Sequence, residues 1–347
     1  MPRIESVTAE LLHDQPQVNV IIRVRDSDGL EGVGEAWWGI YDAKRPSRTG
    51  SPIIAVINDM LAPRLVGRDP DPIERLWFEL MDWGYRYADQ GIFLMGLSGV
   101  DLALWDLKGK RLGVGVATLL GGPVSDGIPG YASFPRYRNA ERLDAETERA
   151  IEAGFTAIKL HEIDLAFIAG LCNEYADDVK IMVDVNGHFD PLEAIAFGSR
   201  LEELGVTWFE EPVRPMRDHG AIARVGGSIA CDLAAGENEY SLEDFDRLLA
   251  TGALAYVQPE ITKIGGLTAA RRISTLAELY NVALCPHNFR LGPSLYASIQ
   301  WAFTSPASRW VEMPWVSAGQ VFSFPATMPP MRDGLVLPLD GPGLGCG

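Results

Sequence analysis

Seven ionisable residues recur at nearly constant intervals along the second half of the chain, each at the end of an apolar run. They are His161 in AIKLHE, Asp184 in IMVDVNG, Glu210 in VTWFEEP, Glu237 in LAAGEN, Glu260 in YVQPEIT, His287 in LCPHNF and Glu312 in WVEMPW. The intervals are 23, 26, 27, 23, 27 and 25 residues. In a parallel barrel a strand plus its return helix takes roughly 25 residues, and all strands end on one face. The rhythm therefore predicts an α/β fold, a (β/α)-barrel with the seven side chains gathered at one mouth. Such a mouth is where a barrel enzyme does its chemistry.

The rest of the chain fits that frame. Strand candidates GYASF, AIKLH, IMVDV, TWFEE, SIACDLAA, AYVQP, ALCPH and RWVEM alternate with amphipathic helices, as Ile273, Leu276, Ala277 and Tyr280 show on one face. Eight such runs point to a barrel rather than an open sheet. Before them, residues 16–36 read as a hairpin turning at Asp28-Gly29, followed by the aperiodic stretch WWGIYDAKRPSRTGSP, a long loop that could cover a site. Helical patterns follow in IIAVINDMLAPRL, PIERLWFELMDWGY and LSGVDLALWDLKGKRLG, and LLGGP closes the region. The expected division is an α+β region over 1–125, a barrel over 126–320, and a Pro/Gly-rich tail over 321–347 that packs back on the first region.

A net charge of −17 on 347 residues argues against a nucleic-acid partner, because phosphate binding needs a basic face. It does not exclude an anionic small molecule, since a bound cation reverses the local sign. No apolar run is long enough to span a membrane, and the N-terminus MPRIESVTAELLHD lacks a signal peptide's regions, so the expected location is cytoplasmic. The four cysteines form no CxxC pair, and Cys231 and Cys285 fall inside apolar runs as small buried residues.

Asp184, Glu210 and Glu237 are carboxylates at three consecutive strand ends. Three converging oxygen ligands with open positions suit Mg²⁺, a hard cation that keeps places for water or substrate. One such acid could be a solvated group or a helix cap; three in register are poorly explained that way. Glu211, on the other side of its strand, is expected to pair with a neighbouring cation rather than with metal. Lys159 and His161 lie two apart and face the same way. Glu260 and His287 occupy adjacent strand ends, where the carboxylate would orient the ring and stabilise its protonated form. The second and seventh strands lie across the mouth from each other, so the two histidines could take a proton from one face of a carbon and deliver one to the other. Removing an α-proton beside a carboxylate places a second negative charge on that group. A divalent cation and a lysine offset it.

The order K-x-H, VDVNG, WFEEP, GEN, QPEITKIGG, PHN and WVE resembles the enolase superfamily, specifically its mandelate racemase-like branch (the mandelate racemase/muconate lactonizing enzyme family). The likeness covers nearly the whole chain, with DLALWDLKGKRLG, LLGG and the DGPGLG tail similar to that family's capping domain and C-terminal segment. It implies Mg²⁺ on Asp184, Glu210 and Glu237, abstraction of the α-proton of a chelated carboxylate substrate, and an enediolate intermediate. It also implies a Glu260–His287 dyad, Glu312 hydrogen-bonded to the substrate carboxylate, Asn186 beside the metal, and a homo-oligomer. Two positions depart. The racemase-like pattern usually has Lys-x-Lys; here the outer residue is His161, leaving Lys159 to bind the carboxylate and His161 as second acid/base. The dyad carboxylate is usually Asp; Glu260 is one methylene longer, so the backbone or His287 must shift. Glu260 also argues against the muconate cycloisomerase-like branch, whose lysine base sits at that position; Lys263 lies three residues on.

Substrate choice in this fold comes from the capping loops. Trp37, Trp38 and Tyr41, with Trp83, Tyr85 and Tyr87, could form an apolar lid; Arg45, Arg48 and Arg86 could hold hydroxyls or a second carboxylate; Arg136 and Tyr137 could reach the ligand from the first barrel strand. Plain packing and solvated loop charges are the competing account of each. The first expectation is dehydration of a sugar acid to a 2-keto-3-deoxy acid, with His287 assisting loss of the C3 hydroxyl. Racemisation or epimerisation at the α-carbon comes next, then lactone cycloisomerisation. A non-catalytic binding protein is the remote alternative, disfavoured because a competent group fills every position the chemistry needs.

Overall fold

The computed structural model describes residues 2–14, 17–37, 51–175, 177–316, 324 and 327–346. Trp38, Tyr41, Arg45 and Arg48 lie outside the described residues.

The N-terminal region opens with an antiparallel sheet, β1 (Ile4–Asp14), β2 (Gln17–Asp26) and β3 (Glu31–Ala36), in that order. The hairpin expected over 16–36 is β2–β3; Asp26 Oδ1 accepts the amides of Asp28 and Leu30 to shape its turn. β1 was not legible in the sequence. Few of its side chains are buried, Ile4 and Val7 among them, so it carries no clean alternation. Against this sheet lies the helix Ile92–Leu112, buried along most of its length. Gly34 permits the contact: a Cβ there would stand 2.1 Å from the Gly99 carbonyl oxygen.

The barrel strands are β4 (Ile128–Ser133), β5 (Ala157–Leu160), β6 (Lys180–Asp184), β7 (Phe209–Glu210), β8 (Leu233–Ala235), β9 (Tyr256–Val257), β10 (Ala283–Leu284) and β11 (Val311–Pro314). β4 to β10 pair in parallel in chain order. β11 returns to pair with β4, and a parallel bridge from Leu284 to Ser308 closes the ring. Tyr131, Ala157, Met182, Trp208, Ala234, Cys285 and Trp310 fill its inside as one cluster. Bulky aromatics plug the barrel below the mouth, making it a packed core and not a pore.

The tail, aperiodic in sequence, forms a short hairpin, β12 (Met331–Arg332) and β13 (Leu335–Val336), and β13 pairs antiparallel with β4. Further on, Gly343 bridges Gly115, and the Leu344 amide donates to Asp106 of the helix Ile92–Leu112. The N-terminal region grips the barrel just beyond β9. Trp77 Nε1 donates to the Gly265 carbonyl (2.8 Å), Ser98 Oγ accepts the Gly265 amide (2.8 Å), and Asp101 takes both the amide and the hydroxyl of Thr268. Among the described residues, no helix is long and apolar enough to cross a membrane.

Candidate active site

Strand ends at the C-terminal mouth deliver the side chains. Asp184 ends β6 and Glu210 ends β7, while Glu237 follows the Gly236 turn after β8; one oxygen from each lies within 4.8 Å of the others. Each carboxylate is held by neighbours. Asp184 accepts the Asn186 amide (2.8 Å) and side-chain Nδ2 (3.1 Å). Glu210 Oε2 accepts Trp208 Nε1 (2.9 Å) and Gln258 Nε2 (2.8 Å), and its Oε1 meets Lys159 Nζ at 2.8 Å. Glu237 accepts Asn238 Nδ2 at 2.9 Å and has Lys263 Nζ at 3.9 Å.

Lys159 is fully buried among carboxylates, 2.8 Å from both Glu210 and Glu312 and 3.6 Å from Asp184. Burial pulls its ammonium down, but Glu210 and Glu312 outweigh this and leave it raised well above the ordinary range, so it stays charged. Glu312 also accepts the Asn288 amide (3.0 Å). The two expected histidines flank the triad. His161 Nε2 is 3.2 Å from Asp184, with its Nδ1 against the Phe134 carbonyl. His287 Nε2 is 2.7 Å from Glu237 at the triad's other end, and its Nδ1 meets Glu260 Oε2 at 2.8 Å. Burial lowers His287, but Glu237, Glu312 and the bond to Glu260 raise it well above the usual imidazole range. The extra methylene of Glu260 is accommodated: its other oxygen accepts the amide (3.0 Å) and hydroxyl (2.6 Å) of Thr262.

The donor set fits a divalent cation. All three donors are carboxylate oxygens, and negative charge outruns the local cations: burial pushes Glu210 up to about 7 and Glu211 well above the ordinary carboxylate value. Among the described residues Glu211 does not form the ion pair expected of it; it accepts Asn238 Nδ2 (2.7 Å), an amide shared with Glu237. The reason is backbone geometry, since Glu211 sits at φ 45° and turns away from the strand direction just past β7.

The capping-loop candidates divide. Trp37 reaches the mouth: Lys263 Nζ lies 3.8 Å from its ring centroid, and its ring is 6.4 Å from that of His287. Arg136 donates through Nε to the His161 carbonyl, holding that strand end rather than facing the triad through this nitrogen. Arg86 is exposed and donates to Tyr85 (2.8 Å), and Tyr85 and Tyr87 are themselves exposed. The residues missed in the sequence are mostly supports. Trp208 and Gln258 stand two residues before Glu210 and Glu260 on the same strand faces, so period two could have found them. Asn238, Thr262, Asn288 and Arg290 lie on loops with no period to betray them.

A parallel barrel with three carboxylates on consecutive strand ends, a buried lysine beside them, and a sheet-and-helix region packed over its mouth defines a metal-assisted barrel enzyme class. The chain belongs to the mandelate racemase/muconate lactonizing enzyme family: residues 6–121 match that family's N-terminal domain, and residues 142–347 match the enolase C-terminal domain-like family. Members of this superfamily use Mg²⁺, and the acidic triad is a possible site for it. The chain is 30% identical to D-galactarolactone cycloisomerase of Agrobacterium fabrum over 95% of its length and 88% of that protein. It is also 30% identical to D-galactonate dehydratase of Verminephrobacter eiseniae over 94% of its length and 87% of the relative. The solved 3,6-anhydro-D-galactonate cycloisomerase of Zobellia galactanivorans superposes with a TM-score of 0.88 at 29% identity, covering 99% of this chain and 96% of that one. Relatives of equal identity thus carry two reaction types, a dehydratase and a cycloisomerase.

Proposed function

We propose that the chain dehydrates a sugar acid to a 2-keto-3-deoxy acid in a Mg²⁺-dependent reaction that begins with removal of the α-proton. One observation carries this: two imidazoles flank the acidic triad from its two ends, and only His287 is tied through Nδ1 to a carboxylate. Asp184, Glu210 and Glu237 would hold Mg²⁺, which would offset the charge building on the substrate carboxylate as the α-proton leaves. Lys159, kept protonated by its carboxylate neighbours, binds the same substrate oxygens, with Glu312 beside it at the substrate carboxylate and Asn186 orienting Asp184. Burial lowers the His161 imidazole but the Asp184 carboxylate raises it above its usual value; Mg²⁺ on Asp184 would offset that pull, and unprotonated His161 would take the C2 proton through Nε2. The electron pair forms the C2–C3 double bond as the C3–O bond breaks, and His287, protonated through its dyad, delivers a proton so that water departs. The resulting enol tautomerises to the 2-keto acid. Trp37 walls the substrate space, and Trp38, Arg45, Arg86 and Arg136 belong to the same proposal as further substrate-binding residues. So do a capping domain over 1–125, a barrel over 126–320, a tail over 321–347 and a homo-oligomeric, cytoplasmic enzyme.

Lactone cycloisomerisation is the second reading, favoured by the cycloisomerase names of the two relatives described above. Enzyme and Mg²⁺ incubated in D₂O with pooled aldonic and aldaric acids and their lactones, followed by proton NMR, separate the two. New methylene resonances of a keto acid establish dehydration, and lactone loss without water elimination establishes cycloisomerisation. Exchange alone marks racemisation or epimerisation. H161N is expected to abolish α-proton exchange, whereas H287N is expected to keep exchange but lose elimination; the reverse pattern overturns the assignment of base and acid.

A further inference from the structure

Arg290 lies three residues past His287 and is fully buried. Burying a guanidinium is costly unless something nearby needs its charge. Two carboxylates flank it. On one side, Nη1 is 3.7 Å from Glu35 of β3, itself buried and bonded to Asn19 Nδ2 (2.8 Å) and the Ser294 amide (3.0 Å). On the other, Nη2 donates to Thr262 Oγ1 (3.3 Å), whose hydroxyl donates onward to Glu260 Oε1 (2.6 Å). Glu260 Oε2 then meets His287 Nδ1. The guanidinium also lies 4.9 Å from the ring centroid of Trp37 and 5.4 Å from that of Phe289. Its Nε and Nη1 have no hydrogen-bond partner among the described residues.

We infer that Arg290 is a positioning residue for the His287 dyad, acting through Thr262 to fix the rotamer of Glu260 and tying that rotamer to Glu35 and Trp37 of the N-terminal region. The physical grounds are direct. A hydroxyl that accepts from a cation becomes a better donor, so the bond from Thr262 to Glu260 strengthens along the chain. Glu260 has one more rotatable bond than the aspartate the family pattern leads one to expect. With Oε1 clamped by the Thr262 amide and hydroxyl, only Oε2 remains for the ring, and His287 is held with Nε2 toward the triad. Arg290 also adds to the charge that keeps Glu260 ionised; burial pushes that carboxyl up, but the His287 bond and charge, then Arg290, bring it below its usual value.

The test uses Mg²⁺-loaded full-length enzyme labelled with ¹⁵N in the histidine rings. The His287 Nδ1 proton, held between ring and carboxylate, is expected as a downfield resonance, assigned by its loss in H287N. In R290M and in T262V it is expected to move upfield or vanish by exchange, and R290K is expected to restore part of the shift. T262V keeps the buried charge, so it carries the test if R290M does not fold. The kinetic arm rests on the proposed reaction: kcat for keto-acid formation falls about 10- to 100-fold in R290M and T262V while α-proton exchange and KM are held, the usual size for loss of a group supporting a site residue. An unmoved resonance in either folded variant, or its absence from the wild type, overturns the inference. If no substrate pool shows exchange, the proposed reaction fails while the resonance still decides the role of Arg290.

Discussion

Asn186 turns into the left-handed region at φ 47° immediately after β6, a conformation asparagine tolerates better than most residues. From there its amide and side chain donate to both oxygens of Asp184, fixing the carboxylate plane. N186A is therefore expected to weaken Mg²⁺ binding by about 10- to 100-fold without unfolding the barrel, measured by isothermal titration calorimetry; unchanged affinity would remove Asn186 from the site. The strand-end residues were legible because a barrel converts sequence spacing into a shared face. Their supports were less so. The donors to Glu210 follow strand period, but Asn238 and Thr262 act from turns whose direction depends on neighbouring loops.

At the scale of elements, the helix Leu267–Tyr280 begins at Gly266, which has no side chain to cap it. Asp101, from the helix Ile92–Leu112, supplies that cap across the contact between the two regions. D101A leaves the Thr268 amide and hydroxyl without their acceptor and is expected to cost about 1–3 kcal/mol, read by urea denaturation. Burial pushes the Asp101 carboxyl up to about 7, against the bonds from Thr268 and Leu267 that lower it. The folded state therefore binds a proton that the unfolded state has released, between the ordinary aspartate value of 3.8 and about 7. This contribution to stability is fully present below that window and is lost as pH rises through it. D101N removes the titration, so wild-type stability relative to D101N is expected to fall from pH 4 to 7 when both are measured in EDTA; parallel curves would show that Asp101 does not titrate there. The helix pattern LSGVDLALWDLKGKRLG was readable, but the reason for an aspartate inside it was not, because its partner lies 167 residues away.

For the whole molecule, the acidic mouth predicts linkage between metal and fold. Six acids converge there, Asp184, Glu210, Glu211, Glu260 and Glu312 buried and Glu237 partly exposed, and a cation that binds only the native state raises its stability by about 2.7 kcal/mol at a hundredfold excess over Kd. Melting temperature is expected to rise with Mg²⁺ and fall back with EDTA, and E237Q is expected to lose most of the response. A flat response in the wild type at millimolar Mg²⁺ would speak against the triad as a metal site. The order and spacing of strand-end residues were enough to predict the barrel and to bring the acidic triad, the lysine and the two histidines to one mouth. These depend only on chain-local period and on the rule that parallel strands end together. Tertiary structure alone decided that β1 joins β2 and β3, that the tail adds β12 and β13 to the barrel sheet, that Asp101 caps a distant helix, and that Arg290 stands between Glu35 and the Glu260 clamp. Each of those needs the meeting of segments far apart in the chain, and no local pattern records where such segments will meet.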